Sequence, residues 1–232
     1  SIIQGVSEFL PVSSSAHLII VSTLYKFQAN SILIDTSLHL GSLLAIIFFF
    51  KKELFDLKNN QKLLLLIFFG SLPLIVVGYF LFETGLIDLL RNVEIIAWMS
   101  LVFAIVLFFA DKSRVDKKIS SNLNLKIILL IGVFQILSLV PGVSRAGITI
   151  TAARIFKFNR VDASKISFLL SIPALGGASF LNLKNLSVQT TDFNFLVLIA
   201  IVLSFIFSYL TVKYFLIYIN KFSMNIFVIY RI

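Results

Sequence analysis

The sequence predicts an all-α polytopic membrane protein with inverted-topology repeats, in which two re-entrant helical hairpins meet near the bilayer midplane. Three observations carry that prediction. Of the 232 residues 59% are hydrophobic and 13% charged, with a mean hydropathy of +1.01, whereas a soluble domain has an apolar share of about 45–50%. Five windows, near 32 to 50, 62 to 82, 92 to 110, 166 to 182 and 193 to 218, are apolar over roughly the 17–25 residues that cross a hydrocarbon core. Two further stretches, about 1 to 25 and about 127 to 156, are equally oily but broken by proline and polar residues.

The whole chain, 1 to 232, reads as one integral membrane domain, and none of its apolar segments looks like a cleaved signal peptide. It has no cysteine, which excludes disulfides, iron–sulfur clusters and thiol catalysis. The net charge of +9 reports topology. Basic residues gather at Lys51, Lys52, Lys58 and Lys62, at Lys112, Arg114, Lys117, Lys118 and Lys126, at Lys157, Arg160 and Lys165, and at Lys213 and Lys221. By the positive-inside rule these segments are cytoplasmic, and the loops around Glu83 to Glu94 and Asn182 to Asp192 are external. No aromatic-interleaved basic patch points to nucleic acid.

Topology then makes both interrupted stretches hairpins. The stretch broken by "PGVSRAG" at 141 to 147 has basic loops on both sides, so it enters and leaves on the inner face. The opening stretch, broken at Pro11, does the reverse, because the helix at 32 to 50 ends inside at Lys51 and residues 26 to 34 are therefore outside. A gapless alignment matches Pro11 with Pro141, Ser14 with Ser144 and Ala16 with Ala146, and "SLPLIVVG" at 71 to 78 echoes "SIPALGGA" at 171 to 178. Broken backbone at membrane depth requires protein or a watery cavity around it.

In "QGVSEFLPVSSSAHL", residues 4 to 18, a helix over 2 to 10 places Gln4 and Glu8 one turn apart on one face. Pro11 ends that helix, and Ser13, Ser14 or Ser15 caps the next, with His17 in its first turn. In the second hairpin Ser144 caps a half-helix that starts at Arg145 and carries Thr149 one turn on. A carboxylate, hydroxyls, an imidazole, a guanidinium and two helix N-termini converge, as a phosphate site requires. A structural ion pair between Glu8 and Arg145 is the bland alternative, although intramembrane charges are costly and usually functional. The serines have their own bland reading as packing hydroxyls. His39, in "LHLGS", reads as a packing residue without polar companions. Arg154 and Lys165 read as snorkelling to the inner interface, and Asp35 and Thr36 as caps of the helix they open.

"QGVSEFLPVSSSAH" and "PGVSRAGIT" resemble the two signature motifs of the bacterial undecaprenyl-diphosphate phosphatase family, also called bacitracin-resistance proteins. The first family motif, Glu or Gln, three residues, Glu, then Pro-x-Ser-Ser-x-x-His, is met by Gln4, Glu8, Pro11, Ser13, Ser14 and His17. The second, Pro-Gly-x-Ser-Arg-Ser-x-x-Thr, is met by Pro141, Gly142, Ser144, Arg145 and Thr149, with Ala146 in place of the family's serine. Similarity continues through "SLHLGSLLAIIFFF", "GSLPLIVVG", "SFLLSIPALGGA" and the closing "FVIYRI". The chain begins almost inside the first motif and stops soon after "YRI", so short terminal pieces are expected beyond it.

The resemblance implies hydrolysis of the terminal phosphate of undecaprenyl diphosphate, which regenerates a cell-wall carrier lipid, in the bacterial inner membrane. On the residues alone, Arg145 clamps the diphosphate with Ser13, Ser144 and Thr149 beside it. Ser14 is the favoured nucleophile and His17 its base, with water activated by His17 as the alternative. Glu8 and Gln4 would hold a divalent cation, Mg²⁺ or Ca²⁺; Gln4, the neutral option at its position, weakens that role. The 25 phenylalanines suit a polyprenyl tail, and a second copy of the chain is a candidate partner. A transporter or flippase for the polyprenyl phosphate is the rival reading, since inverted repeats also support alternating access.

Overall fold

In a computed structural model, residues 1–25, 31–86, 90, 92–113, 115, 117–186 and 195–232 are described. The order is α1 (Ile2–Ser7), α2 (Ser14–Tyr25), α3 (Ser31–Phe49), α4 (Lys51–Phe55), α5 (Leu57–Glu83), α6 (Val93–Asp111), α7 (Ile119–Asn122), α8 (Leu125–Ile136), a 3₁₀ turn at Leu137–Leu139, α9 (Arg145–Ile155), α10 (Arg160–Leu186), α11 (Phe195–Lys221) and α12 (Asn225–Arg231). Four stretches, Leu57–Glu83, Val93–Asp111, Arg160–Leu181 and Val197–Lys221, are long and apolar enough to span a bilayer, and α3 contributes the shorter apolar run Leu33–Phe49. Their outer faces keep residues such as Phe48, Phe69, Val76, Phe80 and Phe109 exposed, as lipid-facing helices do. The chain is a multi-pass, all-α membrane protein.

Short polar side chains mark where helices start. Asp56 accepts from Asn59 N (3.3 Å) before α5, Asn92 from Glu94 N (2.9 Å) before α6, and Asn124 from Ile127 N (3.0 Å) before α8. Each satisfies one of the N–H groups that a first turn leaves without an intrahelical partner. Asp35 and Thr36 do not cap α3. The helix already runs from Ser31, so they lie one turn inside it. Parts of the external loops expected from the charge pattern, residues 87–89, 91 and 187–192, lie outside those described.

Both interrupted stretches are helix, break, helix: α1 and α2 flank residues 8 to 13, and the 3₁₀ turn and α9 flank residues 140 to 144. Gly142 is required at the second break twice over. Its φ is +95°, and a Cβ there would sit 2.5 Å from Ile96 O of α6. Helix contacts occur in interchangeable pairs: α1 packs on α11 as α8 packs on α5, and α3 packs on α11 as α10 packs on α5. The repeat therefore equates α1, α3 and α11 with α8, α10 and α5. That pattern does not equate α5 with α10, so the echo around Pro73 and Pro173 lies on non-equivalent helices and is not part of the repeat.

Polar groups join the packed helices. Ser42 of α3 lies 3.0 Å from Ser204 Oγ and accepts from Ser208 Oγ (2.9 Å), both on α11, hydroxyl contacts of the kind that link helices where apolar surface gives no net drive. Arg154 does not snorkel. It is 1% exposed, donates to Phe158 O (2.8 Å) and Asp111 O (2.6 Å), and pairs through Nε with Asp111 Oδ1 at 3.4 Å. Asp111 also takes Arg160 through both carboxylate oxygens (2.7 and 2.9 Å) and Met224 N (3.1 Å). The guanidinium ties α9 to α6, and its partner Asp111 extends the link to α10 and the turn into α12.

Candidate active site

The two breaks converge on Glu8, which lies one residue past the end of α1 and is 7% exposed. Ser14, the first residue of α2, donates its hydroxyl to Glu8 Oε2 (2.7 Å). Arg145, the first residue of α9, donates through Nη2 to Glu8 Oε1 (3.0 Å) and to Glu8 O (3.3 Å). One carboxylate is gripped on opposite oxygens by the opening residues of two half-helices, one in each half of the chain. The guanidinium is further fixed by Ser167 O of α10, which accepts from Nη1 (3.3 Å), and it lies 5.8 Å from the centre of the Phe9 ring.

Gln4, fully buried, donates its amide to Glu8 Oε2 (2.8 Å) and reaches His39 Nδ1 (3.1 Å). His39 therefore has a polar companion and belongs to the cluster, against the packing role expected for it. The local sequence gave no signal, because α3 brings it in from 35 residues away. Gln4 Oε1 is buried and has no hydrogen-bond partner among the described residues.

Not every expected contact forms. His17 does not hydrogen-bond Ser14. Its Nδ1 lies 2.7 Å from Ser13 O, a carbonyl that only accepts, so Nδ1 donates there, and its Nε2 lies 2.7 Å from Tyr230 Oη. Thr149 faces its own helix and α10: its hydroxyl lies 2.8 Å from Arg145 O and 2.7 Å from Ser167 Oγ. It steadies the residue whose carbonyl holds Arg145. Ser144 caps α9, accepting from Gly147 N (3.1 Å), whereas Ser13 Oγ lies 3.3 Å from Ser15 Oγ.

Ser13 and Ser144 have φ of +69° and +71°, a left-handed region that non-glycine residues rarely adopt. They sit at the same place, one residue before the helix. The register between the hairpins is therefore 131 residues, and the gapless match of Ser14 with Ser144 is off by one. Ser14 corresponds to Arg145, and Gln4 to Gln135.

Arg231, at the end of α12, is the second residue that the sequence did not single out. Its Nη2 donates to Gly142 O (2.8 Å) and Val143 O (3.0 Å), and its Nη1 to Pro11 O (3.4 Å), so it touches both breaks at once.

Curated proteins named undecaprenyl-diphosphatase match all of this chain: one from Pelagibacter ubique is 66% identical with 91% of its own length covered, one from Elusimicrobium minutum 39% with 91%, and one from Geotalea daltonii 39% with 92%. The profile of the family described as "Bacitracin resistance protein BacA" matches residues 1–232, and the chain belongs to that family.

Proposed function

We propose that this protein hydrolyses the terminal phosphoanhydride bond of undecaprenyl diphosphate, releasing phosphate and the lipid monophosphate, in the bacterial inner membrane. The observation that carries the reading is the Glu8 carboxylate, held between the Ser14 hydroxyl and the Arg145 guanidinium. A structural ion pair needs no hydroxyl at 2.7 Å from the same carboxylate, and a transport site needs no activated nucleophile. Relatives named undecaprenyl-diphosphatase supply the substrate. In this reading both hairpins are re-entrant, and their breaks lie near the midplane with the half-helix N-termini turned toward the anion.

Arg145 binds the terminal phosphate with its planar fork and offsets charge that develops in transfer. Ser14 Oγ forms a bond to the terminal phosphorus while its proton passes to Glu8 Oε2, and the bond to the lipid phosphate breaks. Water then cleaves the phosphoserine and the hydroxyl regains a proton. Glu8 takes the base role assigned to His17 on sequence grounds, since it touches the nucleophile and His17 does not. Attack by water activated at His17 is the alternative route. Ser13, Ser144 and Thr149 serve by shaping the two helix starts around the anion.

A divalent cation suits part of this cluster. Glu8 offers two carboxylate oxygens and Gln4 a buried amide oxygen without a partner, while no group of three or more His, Cys, Asp or Glu occurs among the described residues. Mg²⁺ is commonly held by one or two carboxylates with substrate phosphates completing its shell. Gln4 and Glu8 would hold Mg²⁺ or Ca²⁺, which would neutralise charge on the phosphate oxygens. The test is phosphate release from the purified protein given undecaprenyl diphosphate, with and without chelator. Turnover that falls with chelator and returns with Mg²⁺ or Ca²⁺ is expected; substrate binding without any phosphate release would leave the carrier reading in its place.

A further inference from the structure

A cavity of about 620 Å³ lies between α2, α6 and α12, beside the Glu8 cluster and not part of it. Its size is within the roughly 300–1,000 Å³ of small-molecule sites. One end is polar, with His17, Tyr230 and Arg231; the walls are apolar, with Ile20, Ile96 and Trp98. Ser14 and His17 stand three residues apart on α2, so the cluster and the cavity occupy adjoining faces of one helix.

Arg231 is the unusual member. It is 7% exposed, and among the described residues no carboxylate pairs with it; its partners are three neutral carbonyls, and its Nε has none. The guanidinium is pressed against the first turn of α9, where a Cβ on Gly147 would lie 3.0 Å from its Nη1. That turn is the positive end of a helix dipole. The two breaks therefore bring two guanidiniums and two helix N-termini together, and among the described residues Glu8 pairs with Arg145 and no carboxylate pairs with Arg231. A buried charge left without a counter-ion is strongly unfavourable, so the place calls for an anion.

We propose that this cavity seats the lipid half of the substrate: Arg231, with the His17 and Tyr230 pair, binds the phosphate that stays on the lipid, and the first isoprene units run out past Ile20, Ile96 and Trp98 to the bilayer. This rests on the phosphatase reading for the identity of the lipid. It divides the diphosphate between two arginines, the terminal phosphate on Arg145 and the lipid phosphate on Arg231. It also gives His17 a place on the leaving-group side, which explains why it does not face Ser14. The anchored lipid phosphate is what the enzyme would hold as product.

Trp98 is the chain's single tryptophan, so its fluorescence reports on the cavity wall. The test is titration of the full chain in nanodiscs with a farnesyl monophosphate that carries a nitroxide on its terminal isoprene. Quenching should saturate, be reversed by unlabelled polyprenyl monophosphate, and require at least tenfold more ligand in Arg231→Gln. If Arg231→Gln does not fold, Ala97→Phe, which fills the cavity without a charge change, should weaken the quenching likewise. Quenching that rises without saturation and is not competed would mean simple partition into the bilayer and would overturn the proposal, as would an Arg231→Gln titration that superimposes on the native one. A monophosphate is not hydrolysed, so this outcome is independent of the turnover assay: phosphate release with no saturable quenching sinks the cavity alone, and saturable quenching with no phosphate release sinks the phosphatase reading alone.

Discussion

The two breaks share a backbone and differ in chemistry. Each ends in Val-Ser, with the serine at a φ near +70° and a helix starting on the next residue. In the first hairpin that next residue is a hydroxyl, Ser14; in the second it is a guanidinium, Arg145. Four residues after the matching glutamines stand Glu8 and Leu139. The consequence is visible at the glutamines themselves. Gln4 donates to Glu8, while Gln135, fully buried, has neither amide atom partnered among the described residues; leucine stands where the acceptor for its Nε2 would be. A duplicated frame has thus been made into one asymmetric site, in which the first copy supplies carboxylate and hydroxyl and the second supplies positive charge.

The largest expected effect comes from breaking the bond between the copies. Glu8→Ala leaves Arg145 buried without its counter-charge, a loss of about 3–5 kcal/mol for a buried pair, measurable by unfolding in detergent. Glu8→Ala combined with Arg145→Ala should cost less than the sum of the single variants, by about 0.5–3 kcal/mol. Additive losses would mean that the two breaks do not support one another. Next in size, Arg145→Lys keeps the charge and removes the planar fork, and phosphate release should fall by roughly 10²–10³; near-normal turnover would reduce Arg145 to a structural role.

The smallest effects separate the two positive-φ serines. Ser144→Ala removes the hydroxyl that accepts from Gly147 N and should destabilise by about 1 kcal/mol, as loss of a helix cap does. Ser13→Ala removes a hydroxyl that hydrogen-bonds Ser15 and, among the described residues, accepts from no backbone N–H, and should cost less. Equal losses in an unfolding titration would show that the first break is capped as the second is.

What could be read in the sequence was local. The breaks announce themselves because proline, glycine and serine interrupt apolar runs, and the pairing of Glu8 with Arg145 follows from the expense of leaving either alone in a membrane. What could not be read arrives from elsewhere. His39, Ser167 and Arg231 reach the cluster from α3, α10 and α12; each lies in a segment that resembles the family, but nothing local to it shows which residue it meets. Two errors were errors of register and depth. Matching Pro11 with Pro141 shifts the alignment by one, because the register of 131 residues sets Pro11 opposite Gly142, and Arg154 beside a basic loop looks interfacial although Asp111, 43 residues away, holds it inside. His17 was paired with Ser14 by helical spacing, which is correct for the backbone, but the partner of its ring is Tyr230 from the other end of the chain.

The central claim is that the first hairpin supplies the nucleophile for a phosphate that the second hairpin holds. Phosphate release and lipid diphosphate binding by purified Ser14→Ala test it most directly. The account predicts hydrolysis abolished with binding largely retained, because Arg145, Arg231 and the helix N-termini still hold the anion. Substantial phosphate release from Ser14→Ala, together with its loss in His17→Ala, would contradict it and assign the attack to water.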